Sequence, residues 1–352
     1  MWRFWIDTGG TFTDCLAGNP EGVRLRAKVL SSSCVRARIV SRISDTSVAL
    51  QFSEKVPDGF FVGYRLRILS AVGWEGTVKE WRSEGSVAVL EGEIATQGRF
   101  PQAGEIATQG RFPGVELAGA LCELVSPEEP PVLAARILTG RRLDESLPPM
   151  EMRLATTRGT NALLERKGAK VAFFVTAGFG DLLRIGNQQR PDLFELGIQK
   201  PDPLTELVFE IDARMDETGA ELRPLDEAAA REQVVAALER GAEAFAVALL
   251  HSYRNPEHER RFAEIAKEMG VKYVSLSAAL SPFAKVLPRA ETAVVDAYLS
   301  PILDSYLDAV EGCIFPTDGT DLHRWDEAGG LDFGVENRRT SERLRVMTSA
   351  GG

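Results

Sequence analysis

Residues 1–17 are MWRFWIDTGGTFTDCLA, and this stretch decides the fold. Phe4-Trp5-Ile6 is a short apolar run that suits a buried strand. Asp7-Thr8-Gly9-Gly10-Thr11 has the composition of a tight turn. Phe12 to Leu16 restarts an extended stretch, so the segment forms strand, Gly-Gly turn, strand. Paired glycines let a backbone approach a ligand closely and aim several N–H groups at one point. Thr8, Thr11 and Thr13 add hydroxyls. Asp7 and Asp14 flank the turn with carboxylates suited to Mg²⁺, a hard cation that prefers oxygen and keeps its waters. A turn that donates to phosphate beside an acid at a strand end is what a nucleoside triphosphate needs. A Gly-Gly turn also closes ordinary β-hairpins, so the turn alone leaves a plain structural role open.

Working outward, Gly22 to Leu30 alternates polar and apolar residues and forms a third strand beside the first two. The character then changes. From residue 31 to 119 the chain is rich in β-branched residues: Val35 to Ile43, Val48 to Phe52, Phe60 to Leu69, Thr77 to Trp81 and Val87 to Leu90. Glycines and prolines punctuate these runs, which suits a small β-rich module inserted into an α/β domain with its two ends close together. Within it GEIATQGRFP occurs twice, at Gly92–Pro101 and Gly104–Pro113. Identical copies do not fit two different packing environments, so at least one is expected in an exposed loop or hairpin.

An α/β pattern resumes near Pro130. Val132 to Leu138 has helical spacing. Thr156-Thr157-Arg158-Gly159-Thr160-Asn161 precedes a short helix, Ala162 to Lys167, that ends at Gly168. The start of that helix is a candidate anion site, with an ordinary helix cap as the alternative. Ala169 to Thr176 is a buried strand. Asp226 caps a helix to about Arg240, Ala244 to Leu250 is a strand, and Asn255-Pro256 opens a helix that stops at Gly270. Val271 to Leu276 is the next strand. Helices alternating with buried strands predict a sheet with helices packed on it. Glu257, Glu259, Arg260 and Arg261 are expected on a solvated helix face. A long helix is predicted from Ala290 to about Val310, with a kink at Pro301. Residues 315–343 carry no periodic pattern and suit an irregular loop; Leu344 to Met347 suits a strand.

Composition excludes several classes. With 352 residues there is length for roughly two domains. Hydrophobic content of 44% and charged content of 26% suit a globular chain, and a net charge of −10 does not suggest a nucleic-acid surface. No apolar run has the length of a bilayer span, and the N-terminus lacks the basic and apolar segments of a secretion signal. The four cysteines and three histidines show no metal-ligand spacing, so reduced thiols and a cytoplasmic location are the expectation. Neither G-x-x-x-x-G-K-[ST] nor a strand-linked G-x-G-x-x-G occurs, so the P-loop and dinucleotide folds lack their motifs.

The string D-T-G-G-T-F-T-D at Asp7–Asp14 resembles the phosphate-binding hairpin of the actin, heat-shock-chaperone and sugar-kinase ATPases. More narrowly it resembles the opening of the 5-oxoprolinase and hydantoinase A family. T-T-R-G-T-N-A-L-L-E-R-K-G from Thr156 is similar to that family's second signature, and Gly186 to Phe194 to its G-x-Q-x-R-x-D-L-F segment. Pro288-Arg289 and Asp296-Ala297-Tyr298-Leu299 resemble the oxoprolinase branch. The resemblance covers residues 1–30, about 128–309 and the last nine; it does not cover the β module or the loop near residue 330.

This resemblance implies an α/β, ribonuclease-H-like ATPase domain made of residues 1–30 and 120–314, interrupted by the module at 31–119. Residues 344–352 would open a second, incomplete half. It implies ATP and Mg²⁺ as cofactors and ATP-coupled opening of a cyclic amide, 5-oxoproline or a hydantoin. Phosphorylating the amide oxygen makes a better target for water. Thr8, Gly9, Gly10, Thr11 and Thr13 would cradle phosphate. Asp7 would hold Mg²⁺ through water, with Asp14 in support. Thr157, Thr160, Asn161 and Arg190 would serve the substrate, Arg190 as a bidentate carboxylate clamp. A hydantoinase B-like subunit or C-terminal region would be the partner, and homo-oligomers stay open. A carbonyl-phosphorylating relative such as an acetone carboxylase subunit, a small-molecule kinase and a non-catalytic nucleotide-binding scaffold are the rival readings. No second D-x-G-G-T string follows the first, so the chain alone is expected to bind ATP weakly and not to turn over.

Overall fold

The computed structural model describes residues 1–44, 46–69, 75–93, 118–187, 197, 200–314 and 344–347. These fall into two compact units, residues 1–158 with 306–352, and residues 159–305.

The first unit starts with the predicted meander, β1 (Trp2–Thr8), β2 (Phe12–Gly18) and β3 (Arg24–Leu30), paired antiparallel in order. Alternation sets its faces: Phe4, Ile6 and Thr8 are buried while Trp5 and Asp7 are exposed. The chain then enters β4 (Cys34–Arg42), β5 (Ser47–Gln51), β6 (Arg65–Ile68), β7 (Glu75–Arg82), β8 (Val87–Glu93) and β9 (Leu121–Val125). Neighbours pair in the order β4-β5-β8-β7-β6-β9, and β9 pairs back onto β4, so these six strands close a barrel. Closure removes the free strand edges.

The barrel alters two expectations. Its sixth strand lies beyond residue 119, so the β module extends to Val125, because β4 and β6 both need β9 as a hydrogen-bonding partner. The run from Phe60 to Leu69 is a strand only from Arg65, because Gly59 and Gly63 take φ of 75° and 85° and fold the preceding residues into turns. Those turns bury Phe60, Phe61 and Tyr64 among Phe52 and Trp81. The module's ends are close: Ser126 N–H donates to Ser33 O at 2.8 Å. Its core is nonetheless continuous with that of the meander. The two GEIATQGRFP copies lie outside the described residues except for the backbone of Gly92 and Glu93.

Helix α1 (Pro130–Thr139) starts at a proline and ends at Gly140, in the left-handed region at φ 69°. Its buried face includes Val132, Leu133 and Ile137. Strand β10 (Met150–Thr156) then pairs parallel with β1, Trp2 opposite Met150 and Thr8 opposite Thr156. Helix α2 (Arg158–Leu164) follows, starting four residues earlier than the sequence predicts, so Thr160 and Asn161 lie inside it.

The second unit is built on β11 (Val171–Thr176), reached after Gly168, where an added Cβ would lie 2.0 Å from the Tyr298 ring. The chain continues through a short α3 (Leu182–Ile185), β12 (Leu207–Ile211), and a small hairpin of β13 (Arg214–Met215) and β14 (Glu221–Arg223). Then come α4 (Glu227–Glu239), β15 (Ala244–Ala248), α5 (Glu257–Glu268), β16 (Tyr273–Leu276) and α6 (Ser277–Leu280). The sheet order is β12-β11-β15-β16, every pairing parallel. Strands β11 and β15 are buried at every residue, as a parallel sheet covered on both faces requires. Asp226 caps α4 by accepting from the N–H groups of Ala228 and Ala229.

Helix α7 (Val286–Ile314) is longer than predicted at both ends and runs through Pro301. Its last part, including Tyr306, Val310 and Ile314, joins the first unit's core. Strand β17 (Leu344–Met347) pairs parallel with β10. The contacts divide the expected domain differently. Residues 1–30 and 120–314 are not one domain, because the contacts divide them between two units. The backbone of residues 344–347 extends the first unit's sheet. Residues 315–343 and 348–352 lie outside the described residues. Among the described residues no helix is long and apolar enough to cross a membrane.

Candidate functional site

The first unit gathers the D-T-G-G-T-F-T-D residues at the carboxyl end of β1, beside the carboxyl end of β10. Gly9 N–H donates to Phe12 O at 3.0 Å and closes the turn. An added Cβ on Gly9 would meet that same oxygen at 3.2 Å, so the turn is tight enough to favour glycine. Ser31 supports it from behind: its hydroxyl donates to Gly9 O at 2.8 Å, and its N–H donates to Thr11 O at 2.9 Å. Gly10 and Thr11 remain exposed at the tip, and Asp7 is exposed on the outer face of β1.

The other predicted residues have different surroundings. Thr13 is fully buried and its hydroxyl shares a 3.1 Å hydrogen bond with Ser31, so it braces the turn and does not face a ligand. Thr8 is buried as well, and its hydroxyl accepts from Tyr306 at 3.4 Å. Asp14 stands opposite Asp7 in the ladder but is held by Lys28 at 3.0 Å and Arg26 at 3.2 Å. The hydrogen bond from Lys28, joined by Arg26, holds the Asp14 carboxyl below its ordinary range. Asp14 is thus partnered within the sheet, where the sequence predicts a supporting catalytic group.

Thr157 does reach the hairpin. Its N–H donates to Thr8 O at 3.0 Å and its hydroxyl to the same oxygen at 3.3 Å. Thr160 and Asn161 belong to the second unit, so the four substrate candidates are not one cluster in a single unit. Arg190 lies outside the described residues. Helix α2 has seven residues, too short for its dipole to focus much charge on an anion.

The structure adds neighbours that the sequence did not single out. Arg158 pairs with Glu129 at 3.3 Å and stacks 4.4 Å from the centre of the Tyr306 ring. Burial pushes the Tyr306 hydroxyl's pKa up, so it stays a donor to Thr8. The separation of 298 residues between Thr8 and Tyr306 explains why no local motif pointed to that pair.

A second polar cluster lies inside the second unit. Glu259 and Arg289 are both fully buried and 3.7 Å apart. This overturns the solvated position expected for Glu259, while Glu257 is exposed as expected. Helix α5 rotates Glu259 inward, where it accepts from Leu249 N–H at 2.9 Å, Ser277 Oγ at 2.7 Å and Ala278 N–H at 2.9 Å. His258 is buried too, 2.7 Å from Glu221, while Arg260 is exposed as expected.

A Mg²⁺ that keeps most of its waters needs only one or two carboxylates, and an exposed Asp7 beside an open turn fits that demand. Among the described residues no group of three or more acidic, histidine or cysteine side chains is placed to hold a metal directly.

Comparison with known proteins adds independent information. Residues 134–270 match the family model described as the hydantoinase/oxoprolinase N-terminal region. The match begins after the hairpin and covers Thr157 and Glu259. The chain is 43% identical over 175 residues to 5-oxoprolinase 1 of Arabidopsis thaliana, covering 44% of this chain and 14% of that protein. It is 37% identical over 228 residues to 5-oxoprolinase of Saccharomyces cerevisiae, covering 57% of this chain and 18% of that one. The chain thus spans under a fifth of the length of these two relatives. A solved nucleotide-free acetone carboxylase superposes with a TM-score of 0.52 at 20% identity, over 89% of this chain and 34% of that one. That likeness is one of fold.

Proposed function

We propose, from the match of residues 134–270 to the hydantoinase/oxoprolinase N-terminal region and the likeness to 5-oxoprolinases, that this chain forms the phosphate-receiving part of an ATP-dependent cyclic-amide hydrolase. The observation that carries this reading is the hairpin turn. Gly10 and Thr11 are exposed at its tip, the Asp7 carboxylate stands beside them, and Ser31 and Thr157 fix the backbone from behind.

When bound, ATP supplies the phosphoryl group that activates an amide oxygen of 5-oxoproline or a hydantoin. The chain's own residues bind and orient. Gly10 and Thr11 offer N–H groups and a hydroxyl to phosphate oxygens, and Asp7 would order Mg²⁺ through its waters. Thr8, Thr13 and Ser31 keep the turn in one conformation, so its donors need no reorganisation when charge develops. Arg158, held by Glu129 and Tyr306, places a cation at the same end of the sheet. The ribonuclease-H-like architecture belongs to this proposal: an antiparallel meander with parallel strands beside it suits the sheet of that ATPase fold. A cytoplasmic location and a hydantoinase B-like partner or C-terminal region also belong to it.

A carbonyl-phosphorylating relative is the second reading, supported by the shared fold with acetone carboxylase. Product analysis separates the two, since a cyclic-amide hydrolase yields the opened acid with ADP and phosphate. The test of the hairpin is Asp7→Asn in the complete, active assembly. ATP turnover should fall by orders of magnitude with the fold intact, as when a preorganised electrostatic group is removed. Near-normal hydrolysis would overturn the assignment.

A further inference from the structure

The barrel strands β4 to β9 all lie before residue 134, where the family match begins. One wall of the barrel differs in charge from the rest of an acidic chain. The neighbouring strands β4, β9 and β6 carry five arginines, Arg36, Arg38, Arg42, Arg65 and Arg67, with no lysine and a single carboxylate, Glu123. The net charge of the whole chain is −10.

Register places these side chains. Arg36 on β4 and Arg67 on β6 both stand opposite Glu123 on the strand between them. One step along, Arg38 stands opposite Leu121, and Leu69 N–H donates to Leu121 O at 2.9 Å from the other side. Val35, Ala37 and Ile39 alternate with the β4 arginines and are buried, so the arginines line the outer wall. Two rows of arginines thus flank β9, about 10 Å apart across two strand spacings. Nearby acids occupy only part of them. Glu123 pairs with Arg36 at 3.0 Å, and Glu75 of β7 lies 2.9 Å from Arg65 and 3.7 Å from Arg67. The side chains of Arg36, Arg65 and Arg67 nevertheless stay 53%, 57% and 43% exposed. Leu69 and Leu121 are exposed beside them.

We propose that this wall docks an acidic, extended polypeptide segment of a partner protein, with aliphatic side chains among its carboxylates. The cations are all arginine, whose planar fork pairs with a carboxylate through two parallel hydrogen bonds. Arg36 and Arg38, like Arg65 and Arg67, are two residues apart on one face of a strand, a pitch of about 6.8 Å that alternate carboxylates of an extended segment share. Leu69 and Leu121 receive the aliphatic groups. Single-stranded nucleic acid asks for exposed rings on which bases stack. Here Phe60, Phe61, Tyr64 and Trp81 are buried, and the large apolar side chains exposed on the module, among the described residues, are all aliphatic: Val40, Ile43, Val62, Leu69 and Leu121. A symmetric contact with the same wall of a second copy would set arginine against arginine.

The test is fluorescence polarisation of the full chain with a labelled peptide of alternating Glu and Val. A peptide of alternating Lys and Val and an oligo(dT) strand are the comparison probes. The Glu–Val peptide should bind saturably and the Lys–Val peptide should not. Arg38→Glu reverses an exposed charge and should weaken binding at least about tenfold, as expected when a charge-assisted hydrogen bond is lost. Arg36→Lys keeps a cation beside Glu123 but removes the fork, and should weaken binding by a smaller factor. Circular dichroism of both variants should match the parent, because both side chains lie on the outside of the barrel. An affinity unchanged by Arg38→Glu or by Arg36→Lys, or equal for the Glu–Val and Lys–Val peptides, would overturn the proposal. Oligo(dT) binding as tight as that of the Glu–Val peptide and lost in Arg38→Glu would assign the wall to nucleic acid instead. A dimer in sedimentation that Arg38→Glu abolishes would assign it to a second copy, and would overturn the proposal equally.

Discussion

The two units treat polar groups at strand ends in opposite ways. In the first, the hairpin turns Asp7, Gly10 and Thr11 outward, and its nearest ion pairs, from Asp14 to Arg26 and Lys28, sit on a solvent-facing sheet surface. In the second, Glu259 and Arg289 are withdrawn from water and spend nearly all their hydrogen bonds on the loops around them. A site made of adjacent residues on a turn needs little support from below. Charges withdrawn from water need partners on the surrounding loops, and Leu249, Ser252, Ser277 and Ala278 supply them.

The largest expected effect tests that contrast directly. Arg289→Ala leaves Glu259 buried without its cation and should destabilise the protein by about 3–5 kcal/mol, measured by urea unfolding. A loss no greater than that of a surface pair would erase the distinction between the units. Replacing Glu259 and Arg289 together by apolar residues should recover only part of the loss, because no charge is then stranded but Leu249 N–H and Ala278 N–H lose their acceptor.

Gly168→Ala comes next. Its methyl would lie 2.0 Å from the Tyr298 ring, and overpacking of this kind costs about 1–3 kcal/mol. An unchanged melting temperature would mean that α7 yields easily at Tyr298 and that the second unit is less rigid than its buried frame implies. Asp226→Ala removes two hydrogen bonds from the start of α4 and should cost about 1 kcal/mol.

The smallest effects are pH-dependent and differ in sign between the units. In the first unit Lys28 and Arg26 lower the Asp14 pKa from 3.8. Its contribution is therefore present above that value and lost as the pH falls through the lowered one. Being half-exposed, the pair should be worth less than about 1 kcal/mol and weaken in salt, so Asp14→Asn should slightly flatten the acid limb of the stability curve. In the second unit burial raises the Asp296 pKa, against a 2.6 Å hydrogen bond from Ser275. Its protonated form is the favoured one, so its contribution is present below 3.8 and lost as the pH rises through the raised value. Asp296→Asn should make the protein more stable at neutral pH; a loss there would show that the charged form is the better partner.

How much of this was legible follows from sequence distance. The hairpin string could be found because its chemistry lies within eight consecutive residues, and Asp226, Asn255-Pro256 and Gly270 marked helix ends because capping is local. Barrel closure was not legible, since β4 and β9 recognise each other across the whole module and a strand's alternation does not name its partner. Glu259 resembled a surface residue because its neighbours Glu257, Arg260 and Arg261 are charged. Only the packing of α5 against α4 and β16, with Leu249 and Ser277 beside it, turns that position inward. Thr13 and Thr8 were assigned to a ligand because hydroxyls near a phosphate turn suggest donors, but the pleat of β1 and β2 points them into the core.

The pairing of β1 also constrains how the chain is made. On one side β1 meets β2 within a tight turn, a contact that forms in about 1–10 μs. On the other side its partner begins at Met150. At ~5–20 residues per second of synthesis, that strand emerges about 7–30 s after Trp2. Throughout that interval the nascent meander carries an open edge lined by the same backbone groups that β10 will later occupy. The barrel, whose own last strand ends at Val125, completes just before β10 arrives. All six barrel strands precede β10 in the chain, so an order in which the barrel closes before β10 pairs would leave the waiting edge of β1 on an anchored sheet rather than on a free hairpin.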